Sequence, residues 1–151
     1  MGIRITGIEE TKKYLMEQAD ILTNLYLEEL DRLAMKVVTA VRTSEVSFWN
    51  DDTGNLRSSI GYVIMYDGVV RFENFQTCNG KGPDGATTAK SFAYEIASRY
   101  PKGIALVIVA GMEYASYVEA IESRNVLAGG ELLAKDLFRD LNAKWNEKYR
   151  K

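Results

Sequence analysis

The sequence predicts a single α+β domain, a small antiparallel sheet packed against a long N-terminal helix and a C-terminal helix. Three observations predict this class. Apolar residues recur at steps of three and four from Leu15 to Val41, as on one side of a long helix. Asp67-Gly68 separates two strand-like segments and is a favoured hairpin turn. Strands joined by a tight turn are antiparallel, so we expect one sheet with the helices on one side.

The N-terminal segment is expected to contain a short strand followed by a long helix. Ile3 to Thr6 alternates apolar and polar residues, and the helix should begin near Glu9 and Glu10, whose carboxylates suit the positive helix end. Asp20 could cap a second segment, which predicts a kink or break there. The stripe is long enough to need a sheet or a neighbouring subunit against it: Leu15, Ala19, Leu22, Tyr26, Leu30, Leu33, Val37 and Val41.

A dense turn signal at 50–55 precedes the predicted hairpin. Thr53 or Asp52 is expected to cap a short helix that runs through Leu56 to Ser59. The hairpin itself is predicted to consist of Ile60–Tyr66 and Val69–Phe75.

Four further segments complete the domain of residues 1–151. Gln76 to Ala89 is rich in Gly, Asn, Thr and Pro and is predicted to be an exposed loop. Helical spacing predicts a helix over Ser91–Tyr100, another over Tyr114–Ser123, and a final helix from Glu131 to about Tyr149. The continuous apolar run Ile104–Ala110 is expected to form a central strand buried on both faces.

Composition excludes several kinds of chemistry. The chain has no histidine and one cysteine, Cys78, so Ser-His-Asp and Cys-His catalysis and a structural zinc site are excluded. Cys78 is interpreted as an incidental loop residue. The net charge of −2 gives no reason to expect sequence-specific nucleic-acid binding, and no apolar run is long enough to span a membrane. We therefore expect an assembly function without enzymatic activity, cofactor or metal.

Two motifs leave other functions open. Residues 80–85 satisfy G-x-G-x-x-G, which would suit a small-ligand or nucleotide-binding module, although no βαβ unit surrounds them. Carboxylates near predicted turns or helix starts could serve a metal-dependent hydrolase, although their spacing matches no known metal loop. These carboxylates are Asp51, Asp52, Glu73, Glu119 and Glu122.

The aromatic and the basic residues each allow two interpretations, a binding role and a structural role. Tyrosine is enriched where protein surfaces meet, but half-buried core tyrosines would look the same in sequence. The tyrosines concerned are Tyr62, Tyr66, Tyr94, Tyr100, Tyr114 and Tyr117. Cations near the C-terminus favour a helix-dipole and solubility role over a binding patch. These cations are Arg139, Lys144, Lys148, Arg150 and Lys151.

Two segments together resemble a known family. Asp52-Thr53-Gly54-Asn55-Leu56-Arg57-Ser58-Ser59-Ile60 leads into a strand, and Val109-Ala110-Gly111 precedes Tyr114-Ala115-Ser116-Tyr117-Val118-Glu119. This pair resembles the tail-completion or head–tail joining (neck) proteins of long-tailed phages and prophages. The resemblance implies a virion structural protein, folded in the bacterial host cytoplasm, that forms a homo-oligomeric ring and meets portal, connector or tail-tube proteins.

The candidate interface residues lie in two of the predicted segments. The loop at about 76–89 and the region Tyr114–Glu119 are expected to contact neighbouring subunits. The candidates are Asn79, Lys81, Asp84, Tyr114, Tyr117 and Glu119. A capped turn that aims the next strand is predicted for Thr53, Gly54, Asn55 and Leu56, since Gly54 permits a tight turn and Leu56 can face the core.

Overall fold

The computed structural model describes residues 2, 6–43, 54–77, 82–111 and 128–150. Within these ranges the chain has the α+β architecture that the sequence predicts. In chain order the elements are α1 (Ile8–Arg42), α2 (Asn55–Ser58), β1 (Ile60–Tyr66), β2 (Val69–Asn74), α3 (Pro83–Ala97), β3 (Ile104–Ala110) and α4 (Ala128–Tyr149).

The predicted hairpin forms, and its turn chemistry explains why. Asp67 and Gly68 have φ angles of 49° and 77°, the positive values that a type I′ turn requires at both central positions. The Asp67 carboxylate also accepts a 2.7 Å hydrogen bond from the Gly103 amide, which ties the turn to the start of β3. This local chemistry fixes the β1–β2 register at its closed end.

Strand order corrects one prediction. The three antiparallel strands lie in the order β2-β1-β3, so β1 is central and β3 is at the edge of the sheet among the described residues. The apolar composition of β3 has another cause: its two faces contact two separate clusters, Leu106 and Ile108 on one side and Ala105 and Val109 on the other. A strand covered on both faces reads as continuously apolar whether or not it is central.

The helices occupy both faces of the sheet, and the prediction of helices on one side is wrong. The second half of α1 covers one face, while α3 covers the other with Ala89, Ala93 and Ala97 at steps of four. The prediction followed larger side chains instead, but Phe92 and Tyr100 are 44% and 58% exposed. Small residues bring α3 close to the sheet without producing a strong hydrophobic signal in the sequence.

Helix α3 begins earlier than predicted. Pro83 occupies its first turn, where the missing N–H costs nothing, and Gly82 precedes it with a φ of 72°. Pro83–Ala89 of the predicted exposed loop is therefore helical, and Gly85, Ala86 and Ala89 are buried. Of the rest of that loop, residues 76 and 77 are exposed and 78–81 lie outside the described residues.

Helix α1 is continuous through Asp20, so the predicted break is absent. Its second half is held to β1 by side chains: the Tyr62 hydroxyl donates a 2.6 Å hydrogen bond to Asp31 Oδ1, and Arg42 Nε donates a 3.0 Å bond to the Ile60 carbonyl. Burial, followed by the bond to Asp31, raises the pKa of Tyr62 well above its ordinary value. The hydroxyl therefore remains protonated and can donate this bond.

Helix α4 runs antiparallel to α1. Gly130 lies against Val41 near its start, and Asn142 reaches Tyr26 further along. A Cβ at position 130 would stand 2.5 Å from Val41 Cγ2, so glycine permits this close approach. Helix α4 begins at Ala128, before the predicted start at Glu131. No helix in the described ranges combines the length and apolar character needed to cross a bilayer.

Two predicted elements and one predicted cap remain untested. The opening strand falls largely on residues 3–5, and the helix Tyr114–Ser123 lies entirely outside the described residues. Thr53 and Asp52, the predicted caps of α2, also lie outside them. The residue directly before α2 is Gly54, which has no side chain to cap the helix.

Candidate assembly interface

Among the described residues, most of the first half of α1 projects from the domain, and near its end Asn24 Oδ1 accepts a 2.8 Å hydrogen bond from Arg71 of β2. The helix has 35 residues, which corresponds to a length of about 52 Å. Its first buried residue is Leu27, so the 18 residues from Ile8 to Leu25 lie outside the core. Several large apolar side chains on this half are nevertheless exposed: Ile8, Tyr14, Leu15, Met16, Ile21, Leu22 and Leu25.

Most of these side chains share one side of the helix, which we call the free face. It consists of three neighbouring columns whose members are seven residues apart, so that they align along the helix. The first column contains Thr11, Gln18 and Leu25, the second Tyr14 and Ile21, and the third Ile8, Leu15 and Leu22. The opposite side carries Glu9, Lys13, Met16, Asp20 and Asn24.

The free face changes character where α1 reaches the body of the domain. The next positions of its three columns are Arg32, Glu28 and Glu29. Arg32 forms ion pairs with both glutamates on the surface of the helix. The side of α1 below the first two columns is thus charged beside the core, whereas the third column points in the same direction as the buried Leu33 and Ala40, about five turns after Leu15 and Leu22. The free face thus combines a surface of its own, in the first two columns, with a continuation of the core stripe in the third.

An aromatic cluster lies where the contact between α1 and α4 ends. The Tyr26 hydroxyl donates a 2.8 Å hydrogen bond to Asn142 Oδ1, and the Tyr26 ring meets Trp145 edge-on at 5.0 Å between centroids. Trp145 in turn lies 4.3 Å from the ring of Tyr149, the last residue of α4. Burial raises the pKa of Tyr26. These contacts fix the base from which the projecting half extends.

A mainly apolar groove lies between α1, β3 and α4. Its volume is about 710 Å³, and the exposed Ile104 and Phe138 stand at its margin. Glu131 and Lys135, which also line it, pair with each other at 2.6 Å. The remaining lining residues are Tyr26, Leu30, Leu33, Val37, Leu106, Ile108, Gly130 and Ala134.

Of the five carboxylates considered for a metal-dependent hydrolase, Glu73 is the one within the described residues, and its two oxygens both have partners. Lys90 Nζ lies 2.7 Å from Glu73 Oε1, and the Tyr94 hydroxyl donates a 2.6 Å bond to Oε2. These two hydrogen bonds lower the pKa of Glu73, while those of Lys90 and Tyr94 are raised. An ionised carboxylate held this way links β2 to α3. In the described residues, no group of three or more Asp, Glu or Cys side chains is placed to hold a metal ion.

Two glycines of the G-x-G-x-x-G segment, which left a nucleotide-binding alternative open, have a packing role. A Cβ on Gly82 would stand 2.3 Å from the Gly54 carbonyl oxygen, and one on Gly85 would stand 2.1 Å from that of Asn55. The backbone of α2 therefore occupies the space over both glycines. In a dinucleotide site that space must admit a pyrophosphate. Two of the three glycines in the motif are explained by close packing between α2 and α3.

Of the six candidate interface residues predicted from the sequence, Asp84 is the one that lies within the described ranges. Asp84 is exposed in the first turn of α3. Asn79, Lys81, Tyr114, Tyr117 and Glu119 lie outside the described residues, as do Thr53, Asp51, Asp52 and Glu122. In the predicted structural motif, Gly54 adopts a φ of 78° and Leu56 is 1% exposed, as expected for a tight turn that directs Leu56 into the core.

Sequence reasoning did not identify the free face, although it followed part of the stripe. It assigned Leu15 and Leu22 to a surface that needs a partner, but left out Tyr14, Ile21 and Leu25. The available signal was the spacing of seven residues, together with charged residues (Glu28, Glu29 and Arg32) at the next position of each column.

Comparisons with family models, with curated proteins and with solved structures found no match to this chain. The candidate interface is therefore defined by its own geometry and by the residues that form it.

Proposed function

We propose that this protein is a structural subunit that assembles with copies of itself at the head–tail connection of a long-tailed phage. The observation that carries the assembly part is the projecting half of α1. An apolar helix face of this size is at the upper end of the apolar patches that monomers expose, and such patches often mark a protein–protein contact. The phage assignment rests on two motifs, one around Gly54 and one that begins at Val109-Ala110-Gly111, which together resemble those of tail-completion and head–tail joining proteins.

The proposed mechanism is interface formation without a catalytic step. The helix–sheet body provides a rigid base, and the projecting helix half provides the contact with the next subunit. The subunit would fold in the bacterial host and enter the virion as a closed ring between the head and the tail. Portal, connector or tail-tube proteins would be its further partners.

Electron microscopy of the purified protein tests the ring. We expect closed, rotationally symmetric rings of uniform diameter. Open filaments or irregular aggregates would contradict the proposal, because a head–tail joint needs an assembly that closes.

A nonsense allele tests the phage role. In a phage that encodes this chain, we expect its loss to leave filled heads and complete tails unjoined, and expression from a plasmid to restore infectious particles. Normal particles in the absence of the chain would contradict a role at the head–tail connection.

A further inference from the structure

We propose that residues 8–25 of α1 pack in parallel against the same segment of two neighbouring copies, forming a helical bundle of three or more chains. This inference rests on the proposed self-assembly and assigns the contact to the free face. The occupant of that face is thus another copy of the same helix.

The apolar area of the free face is suited to a specific contact. Its six large side chains are between 38% and 60% exposed: Ile8, Tyr14, Leu15, Ile21, Leu22 and Leu25. With roughly 200 Å² for a large side chain of this kind, they offer on the order of 600 Å² per copy. A standard interface buries about 800 Å² per partner, so this area, divided between two neighbours, gives two contacts that are each smaller than standard and that backbone and flanking polar atoms enlarge.

The width of the free face indicates two neighbours for each helix. Successive residues are about 100° apart around the axis, so the three columns span roughly 140° of the circumference. A two-stranded coiled coil needs only the narrower seam of two columns, whereas helices in larger bundles carry a third. The third column here is fully apolar, with Ile8, Leu15 and Leu22.

The flanking charges favour parallel helices. Glu10 and Glu17 border the second column, and Lys12 borders the third. In a parallel ring of identical helices, the second-column edge of one copy faces the third-column edge of the next, so the glutamates approach a lysine. In an antiparallel pair, each edge would face its own equivalent, and glutamates would meet glutamates. Parallel packing also agrees with the cyclic symmetry of a closed ring.

Gln18 gives the bundle a means of fixing its register. It lies in the first column, between the apolar second and third columns, one heptad before Leu25. A polar side chain at a central position of a helical bundle selects one alignment, because it must meet its equivalents to remain hydrogen-bonded. Parallel copies in register bring the Gln18 side chains together at one level.

Two single substitutions test which side of α1 makes the contact. Leu15 and Met16 are 60% and 59% exposed and adjacent in sequence, but Met16 lies outside the free face. We expect Leu15→Glu to reduce the particle mass measured by light scattering to that of a monomer, and Met16→Glu to leave the mass unchanged. Both variants should keep the protection of the β1 amides against hydrogen exchange, because neither residue is part of the core.

The outcomes separate this inference from the proposed function. A wild-type oligomer that also persists in Leu15→Glu would overturn the assigned face and leave self-assembly intact. Equal loss of mass in both variants would likewise overturn it, since the effect would not depend on the side of the helix. A wild-type chain that is monomeric at every concentration would contradict both.

Cysteine cross-linking tests the parallel alignment. In a chain carrying Cys78→Ser, we expect Gln18→Cys to form intermolecular disulfides on mild oxidation, because equivalent residues meet in a parallel bundle. Lys13→Cys, on the polar side, is the matched control and should not cross-link. An intact oligomer in which Gln18→Cys fails to cross-link, or in which Lys13→Cys cross-links equally well, would refute the arrangement.

Discussion

At the scale of single residues, Gly85 determines how closely α3 approaches α2. We expect Gly85→Ala to destabilise the fold by about 1–3 kcal/mol, the usual cost of overpacking, because its Cβ would meet the Asn55 carbonyl oxygen at 2.1 Å. Intrinsic helix propensity predicts the opposite sign, a gain of roughly 0.5–1 kcal/mol. Chemical denaturation distinguishes the two, with the exposed Thr88→Ala in the same helix as control. A stabilised Gly85→Ala would show that the α2–α3 contact is looser than the structure indicates.

Glu73 should contribute a pH-dependent part of the stability. Its pKa in the folded chain is lowered below the ordinary value of 4.5 by hydrogen bonds from Lys90 and Tyr94. A lowered pKa gives stability that is present at neutral pH and is lost as the pH falls below about 4.5, through the folded value. The site is partly exposed, so the effect should be small.

Thermal unfolding of Glu73→Gln between pH 3 and pH 7 tests this expectation. The difference in Tm from the wild type should be largest near neutral pH and should shrink in acid. A difference that stays constant with pH would mean that the ionised carboxylate does not contribute through these two bonds.

Local residue chemistry also decided which predictions succeeded. The hairpin was predicted correctly because Asp67 and Gly68 specify positive φ angles without help from distant residues. The glycines at 82 and 85 were ambiguous in sequence, since a tight helix contact and a phosphate loop both need a missing side chain. Their role depends on what lies opposite, and only the three-dimensional contact with α2 supplies that information.

At the scale of elements, the two halves of α1 should differ in their dependence on association. The half after Leu27 is packed against β1 and α4, whereas most of the projecting half extends beyond them and only its end is held to the body, by the hydrogen bond that Arg71 donates to Asn24. Helical segments without tertiary contacts are marginal in water. We expect the amides of residues 8–25 to exchange rapidly with solvent in dilute protein and to gain protection as concentration rises, while β1 remains protected throughout. Protection that is independent of concentration would argue against association through this segment.

The wrong predictions for α3 and β3 have the same physical cause. Helix α3 packs through alanines, and β3 is covered on both faces although it lies at the edge of the described sheet. Sequence patterns report how apolar a segment is and with what period, but not which element covers it. Asp20 shows the same limit. Its sequence position predicted a break in α1, but it lies on the exposed surface of a continuous helix and interrupts no contact.

At the scale of the whole molecule, stability and assembly are assigned to different regions. The sheet, α3, α4 and the second half of α1 form the folded body, with two clusters on opposite faces of the sheet. The projecting half adds apolar surface without adding to either cluster. Substitutions on the free face should therefore alter association while leaving the fold unchanged, which makes the two properties separable by experiment.

Light scattering coupled to size-exclusion chromatography, over a range of protein concentrations, tests the central claim most directly. The account predicts a discrete species of three or more chains at high concentration that dissociates on dilution or with Leu15→Glu. A particle of 17.0 kDa, the mass of one chain, at every concentration would contradict the proposal that this protein assembles with itself.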